Sequence, residues 1–193
     1  MLEEIKNKAI IDKVPIMQDD GIEFLINYIK SNDVKKILEI GTAVGYSSIK
    51  MALINNNITV TTIERDEERY NLAIENITKM NLEKRIKCIK ADALEIELND
   101  KYDLIFIDAA KSQNIKFFEK YKKLLNKNGT IVVDNIYFHG VIYEDDNKLS
   151  RNVRGIKRKI LEFIDYINSQ KEYENRIYSK GDGIMVIKVK HEN

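Results

Sequence analysis

Two carboxylates and an amide occupy matching places in this sequence. Asp108 closes the run Tyr102-Asp103-Leu104-Ile105-Phe106-Ile107, Asp134 closes the run that starts at Gly129, and Asn135 follows at once. If the two runs are neighbouring parallel strands, both acids stand at the carboxyl edge of the sheet, where open α/β sheets bind ligands. Like charges so placed repel each other unless a proton or a cation lies between them. Two carboxylates and an amide oxygen suit a hard cation such as Mg²⁺, which keeps positions for water or for two oxygens of a substrate. The alternative makes each aspartate a helix cap after its strand. Lys111, three residues beyond Asp108, can reach the same place. Beside a cation its proton would be held less tightly, which makes it a candidate base; an ordinary solvated loop lysine has the same spacing.

A second constellation lies upstream. Glu39-Ile40-Gly41-Thr42-Ala43-Val44-Gly45-Tyr46-Ser47 leaves a β-branched run and enters a helical stretch over 48–53. Glycines at such a turn let the backbone approach a ligand. The spacing is Gly-x-x-x-Gly, not the Gly-x-Gly-x-x-Gly of dinucleotide folds, so hydride chemistry is the weaker reading. Glu64 ends the next run, 23 residues after Gly41, where an acid can accept both ribose hydroxyls of a nucleoside. Glu39, late in a central strand, needs a cation or ordered hydrogen bonds to offset its desolvation, and the ammonium of a methionyl group would serve. The plainer account is a tight turn, a structural ion pair at Glu39 and a surface acid at Glu64.

The elements that must position these residues follow from periodicity. Short β-branched runs over 35–40, 58–63, 85–89, 102–107 and 129–134 are separated by room for one helix each, the rhythm of parallel crossovers. Tyr70, Ala73, Ile74 and Ile77 form one stripe of a helix over 66–79, and Val153, Ile156, Ile160, Phe163, Ile164 and Ile167 form another. The runs 174–179 and 183–189, joined by Lys180-Gly181-Asp182-Gly183, leave no room for a helix and predict an antiparallel hairpin. Pro15 separates two helical pieces of an N-terminal segment over 1–32. The whole reads as one α/β domain over 1–193, a mostly parallel sheet with helices on both faces.

Composition bounds the function. Hydrophobic residues are 44% and charged residues 33% of 193, with no apolar run near the roughly 20 residues that span a bilayer. A cytoplasmic protein with no membrane partner is expected. One cysteine, Cys88, and two histidines, His139 and His191, exclude a thiolate or imidazole zinc cage, so any metal must be held by oxygen. Lys and Arg total 32 against 31 acids, so overall charge argues for no nucleic acid. Locally, however, Lys148, Arg151, Arg154, Lys157, Arg158 and Lys159 occur with no acid between them. Arg151, Arg154 and Arg158 share a stripe if the helix reaches that far back, which makes a track for phosphates or a solvated basic face.

With LEIGTAVGYSS, the strand end at Glu64, KADAL, FIDAAK and VVDN in this order, the sequence resembles the divalent-cation-dependent class I O-methyltransferases, typified by catechol and caffeoyl-CoA O-methyltransferases. The resemblance covers nearly the whole chain. It implies a Rossmann-like class I methyltransferase fold with seven strands. It makes Met17, Glu39, Gly41, Tyr46, Ser47 and Glu64 contacts to S-adenosylmethionine, with Asp92 and Ala93 beside the adenine and Asp108 at the same cofactor. Asp108, Asp134 and Asn135 fall on the family's metal ligands, and Lys111 on its general base.

Within that family VPIMQ, DNIYFHG, RNVRGIKRKILEF and the GDGI hairpin look like the bacterial tRNA 5-hydroxyuridine methyltransferases. That resemblance implies a tRNA substrate and a wobble 5-hydroxyuridine converted to 5-methoxyuridine, and the basic segment then makes Arg151, Arg154, Lys157 and Arg158 the expected tRNA contacts. A homodimer is among the assemblies open to it. Two rival functions remain at this point. One is methylation of a small catechol-like or phenolic molecule; the other is a nucleotide-binding module without chemistry, which would not need Asp108, Asp134 and Asn135.

Overall fold

The computed structural model describes residues 1–190, so His191 lies outside the described residues. The elements are α1 (Leu2–Ile11), α2 (Asp19–Ser31), β1 (Lys36–Ile40), α3 (Tyr46–Ala52), β2 (Thr59–Glu64), α4 (Glu67–Lys79), β3 (Ile86–Lys90), β4 (Tyr102–Ile107), α5 (Asn114–Tyr121), β5 (Leu125–Val133), α6 (Arg151–Ser169), β6 (Tyr173–Tyr178) and β7 (Ile184–Val189). The strands form one sheet in the order β3-β2-β1-β4-β5-β7-β6. The first five pair in parallel, and β7 pairs antiparallel with both β5 and β6. This is the mixed sheet with a C-terminal hairpin that the sequence predicts.

Alternation along the strands builds two cores, one on each face. Ile37 of β1 joins Ile22, Leu25 and Ile29 of α2, Ile49 of α3 and Ile77 of α4. Leu38 and Ile40, pointing the other way, join Phe117, Phe118 and Tyr121 of α5 and Phe163 and Ile167 of α6. Helices therefore cover both faces. Asp66 caps α4 by accepting the N–H of Arg69 at 2.9 Å, with Glu67 and Glu68 in the first turn where the helix dipole favours acids. Ala73 and Ile77 are buried, whereas Ile74 is exposed; the buried stripe is narrower than the spacing suggests. Ser150 caps α6 by accepting the N–H of Val153, so the helix does begin at Arg151 and takes in the arginine stripe.

Two expectations change. Between β3 and β4 there is no helix: residues 91–101 cross over as turns and extended chain. Leu94, Ile96 and Leu98 pack on the second core while Glu95, Glu97 and Asn99 alternate with them, and a period of two cannot form a helical stripe. Strand β5 starts at Leu125, four residues before the β-branched run, and its register against β4 shifts between Tyr102 and Leu104. No helix among the described residues is long and apolar enough to cross a membrane.

At the carboxyl edge, Gly41 follows β1 with φ +97°, and a Cβ there would overlap the backbone carbonyl of Asp108 after β4. The two strand ends touch main chain to main chain, which only glycine allows. Gly41→Ala is expected to lower unfolding free energy by about 2 kcal/mol or more through strain and overpacking, measured by urea titration.

Candidate active site

The sheet order reverses its winding between β1 and β4, the switch point at which doubly wound folds hold ligands. A cavity of about 580 Å³ opens there. Its lining brings together Met17 from the N-terminal segment, Gly41, Tyr46 and Ser47 from the glycine turn, and Glu64 from the end of β2. Asp92 and Ala93 after β3, Asp108 and Lys111 after β4, and Asp134 and Asn135 after β5 complete it. Residues spread over most of the chain thus meet at one edge because parallel strands end together.

Glu39 is the exception among the cofactor candidates. It is fully buried and does not line the cavity. The hydroxyls of Ser47 and Ser48 donate to its two oxygens, and Thr62 Oγ1 donates to Oε2 at 2.6 Å. Among the described residues no cation pairs with it; hydroxyl donors take that place, and Ser47 is its link to the cavity wall. Burial pushes the carboxyl up to about 7, while the three hydroxyls pull the other way. Glu64 is likewise no surface acid. Its Oε2 accepts the N–H of Ala43 at 2.8 Å and its Oε1 the N–H of Asp66 at 2.9 Å, so it braces the glycine turn and still keeps lone pairs toward the cavity.

At the opposite wall, Ile107 and Val133 are register partners, which places Asp108 and Asp134 side by side one residue on. Neither caps a helix: the turn after β4 starts from Ala110 and the one after Asn135 from Gly140. Lys111 Nζ lies 3.0 Å from Asp108 Oδ1. Asp134 is buried, and its Oδ1 has no hydrogen-bond partner among the described residues. Its carboxyl is pushed up to about 7, first by burial and next by the charge of Asp108, with Lys111 opposing. Among the described residues no three His, Cys, Asp or Glu side chains form a metal cluster, so a cation here would rely on the amide of Asn135 as third protein ligand. Unpaired buried oxygen and adjacent negative charge are what a hard cation would satisfy.

The arginine stripe lies elsewhere, on a shallow groove of about 1060 Å³ lined by Arg151, Arg154, Gly155, Lys157 and Arg158 of α6, by the acids Asp146, Glu162 and Asp165, and by Ser112, the residue after Lys111. Lys157 is tied down, donating to the carbonyl of Glu144 and to Asp146 Oδ1, both at 2.7 Å. Arg158 faces Glu162 at 3.6 Å, whereas no acid among the described residues forms an ion pair with Arg151 or Arg154, although Lys157, with help from the charge of Arg154, holds the Asp146 carboxyl below its ordinary range. Sequence reasoning missed Thr42, Thr62 and Ser48 beneath the turn, because buried hydroxyls have no periodic signature. It also left Phe138 and His139 of the cavity wall without a role.

A doubly wound sheet with a nucleoside-sized cavity, a glycine turn and an acid after β2 defines a class I S-adenosylmethionine-dependent methyltransferase. The model of a family described as O-methyltransferase matches residues 1–190. A caffeoyl-CoA O-methyltransferase of Populus kitakamiensis is 31% identical, covering 89% of this chain and 75% of its own. Among solved structures, one from Staphylococcus aureus, assigned without proof of activity to the caffeoyl-CoA O-methyltransferases, superposes with a TM-score of 0.93 at 38% identity over 98% of this chain and 92% of that one. The O-methyltransferase of Bacillus cereus in complex with SAH gives 0.83 at 28% identity, over 98% and 90%. The chain belongs to this family of S-adenosylmethionine-dependent O-methyltransferases, of the caffeoyl-CoA type.

Glu39 gives a pH prediction. Its folded pKa stands above its ordinary value of 4.5, so its contribution to stability is full below that value and is lost as pH rises to about 7. Relative to the wild type, cofactor-free Glu39→Gln should gain on the order of 3 kcal/mol between those limits and no more above them, as read from unfolding midpoints across pH.

Proposed function

We propose that this chain methylates the 5-hydroxyl of a wobble 5-hydroxyuridine in tRNA to 5-methoxyuridine, using S-adenosylmethionine with Mg²⁺ or another hard divalent cation. The observation that carries the cation is Asp134 Oδ1, buried without a partner next to a second carboxylate. Asp108, Asp134 and Asn135 would hold it. When bound, S-adenosylmethionine supplies a methyl on a sulfonium, and the cation supplies positive charge that acidifies a hydroxyl with a neighbouring carbonyl oxygen.

The chain's own part is alignment and proton handling. Glu64 and Asp92 would accept from the nucleoside end of the cofactor, the Gly41–Ser47 turn and Met17 would lie against its methionyl end, and together they would orient the methyl toward the acceptor oxygen. Lys111, anchored by Asp108 at 3.0 Å, would take the proton of the acceptor hydroxyl or stabilise the oxygen it leaves. A tRNA acceptor is favoured over a small phenol by α6. Arg151 and Arg154 have no acidic partner among the described residues, and Gly155 between them and Arg158 has nothing within 4 Å of where a side chain would start. A helix-interior glycine costs about 1 kcal/mol against alanine, and here it leaves the helix backbone open to close approach.

Incubation with a labelled methyl donor and bulk tRNA carrying 5-hydroxyuridine should yield labelled 5-methoxyuridine on nucleoside analysis. Chelation should stop turnover, Mg²⁺ should restore it, and cofactor binding should survive both. Labelling of a catechol but never of tRNA would establish the small-molecule reading instead. Replacing Arg151, Arg154 and Arg158 together with Gln should weaken tRNA binding and flatten its salt dependence by roughly 0.7 to 0.9 in log-log slope for each phosphate no longer neutralised, with activity on free 5-hydroxyuridine unchanged.

A further inference from the structure

Asp182, in the turn between β6 and β7, has no part in the reading above, yet it is buried against the loop that follows β5. Both its carboxylate oxygens accept the N–H of His139, at 2.7 and 2.8 Å, and Asn135 Nδ2 donates to Oδ2 at 3.4 Å. The same turn grips the loop through its main chain. The N–H of Ile136 donates to the carbonyl of Gly183 at 2.9 Å, and that of Tyr137 to the carbonyl of Asp182 at 2.8 Å. Asn135, Phe138 and His139 all have positive φ, at +59°, +48° and +55°. Such a run of left-handed residues other than glycine persists only where its surroundings hold it.

The chemistry of the contact is one-sided. An ionised carboxylate offers only acceptors, so the amide of Asn135 must turn its NH₂ toward Asp182, and its carbonyl oxygen then projects away from it. Among the described residues no donor reaches that oxygen. An amide free to flip would present N–H groups to a cation half of the time and repel it. We infer that Asp182 is a positioning residue that selects the oxygen of Asn135 as the atom offered to the divalent cation. The inference rests on the cation reading proposed above.

Asp182→Asn keeps the side chain's shape and an acceptor for the N–H of His139, but it can set one NH₂ against another at Asn135. Calorimetry with Mn²⁺ as probe, without acceptor and beside a parallel titration of S-adenosylhomocysteine, reads the effect without turnover. Mn²⁺ affinity should fall by about tenfold or more, the usual cost of removing a residue that orients a ligand, with S-adenosylhomocysteine affinity and unfolding midpoint near wild type. The exchange variant, Asn135→Asp with Asp182→Asn, restores an acceptor facing a donor and should recover Mn²⁺ binding. Equal Mn²⁺ affinity in wild type and Asp182→Asn overturns the inference, and so does a matching loss of S-adenosylhomocysteine affinity and stability, which marks a merely structural residue. If Asp182→Asn does not fold, the exchange variant decides, since a folded exchange protein that fails to bind Mn²⁺ overturns it equally. A wild-type protein that binds no Mn²⁺ removes the cation reading itself, an outcome set apart from these because no variant is needed to see it.

Discussion

Uncompensated negative charge at the carboxyl edge of the sheet is the constraint on which the site depends. Glu39, Glu64, Asp134 and Asp182 are all buried there, with Asp108 beside them, and Lys111 pairs with Asp108. Burying a carboxylate is costly unless hydrogen bonds or a cation replace its water. The chain supplies such partners unevenly. Three hydroxyls serve Glu39, two backbone N–H groups serve Glu64 and one serves Asp182, but Asp134 Oδ1 receives nothing from the described residues. The deficit is largest beside Asp108 and Lys111. A site left electrically unfinished in this way favours positively charged occupants, and a sulfonium cofactor and a divalent cation are both positive.

Holding that charge in place falls to the sheet. Asp108 and Asp134 each follow a strand whose last residue is fully buried, Ile107 and Val133, and each donates its backbone N–H to the neighbouring strand, to Ile40 at 2.9 Å and to Ile107 at 3.1 Å. Mutual repulsion therefore cannot separate the two backbone positions without breaking strand pairing that both cores enclose. The approach of Gly41 to the Asp108 carbonyl ties the glycine turn to the same edge. Rigidity imposed from two faces keeps Asp108, Asp134 and Lys111 within reach of one another.

Much of this is legible in the sequence because it follows chain periodicity. The parallel strands, the terminal hairpin, α4 and α6 announce themselves by spacing, and the strand-end positions of Glu64, Asp108 and Asp134 follow once the strands are known. What spacing does not reveal depends on contacts between distant segments. Glu39 reads in sequence as a carboxylate needing a cation or ordered hydrogen bonds; hydroxyls from β2 and α3 supply the latter, and serine and threonine give no sign in sequence of what they will face. The crossover at 91–101 is long enough for a helix, yet its alternating Leu94, Ile96 and Leu98 need the second core beneath them to be read as extended chain. Lys157 reads as one more basic residue, and only the fold brings it to Asp146, eleven positions earlier.

Choice of acceptor is a separate matter from the chemistry. The cavity's electrostatics would serve any hydroxyl with a neighbouring oxygen, whether on a phenol or on a pyrimidine, because charge and alignment act on those two atoms and not on the rest of the molecule. Discrimination must then come from surface that only the larger acceptor can touch. Helix α6 runs beside the segment that carries Lys111, with Ser112 on the wall of its groove, so a polynucleotide lying on α6 would lie next to the segment that also lines the cavity. The helix also separates its duties by residue: Lys157, held by Asp146 and the Glu144 carbonyl, pins the 144–146 segment, which leaves Arg151 and Arg154 as the cations with no acidic partner among the described residues. On the tRNA reading, acceptor identity would accordingly depend on those two arginines and the open backbone at Gly155, and could change while Asp108, Lys111, Asp134 and Asn135 stayed as they are.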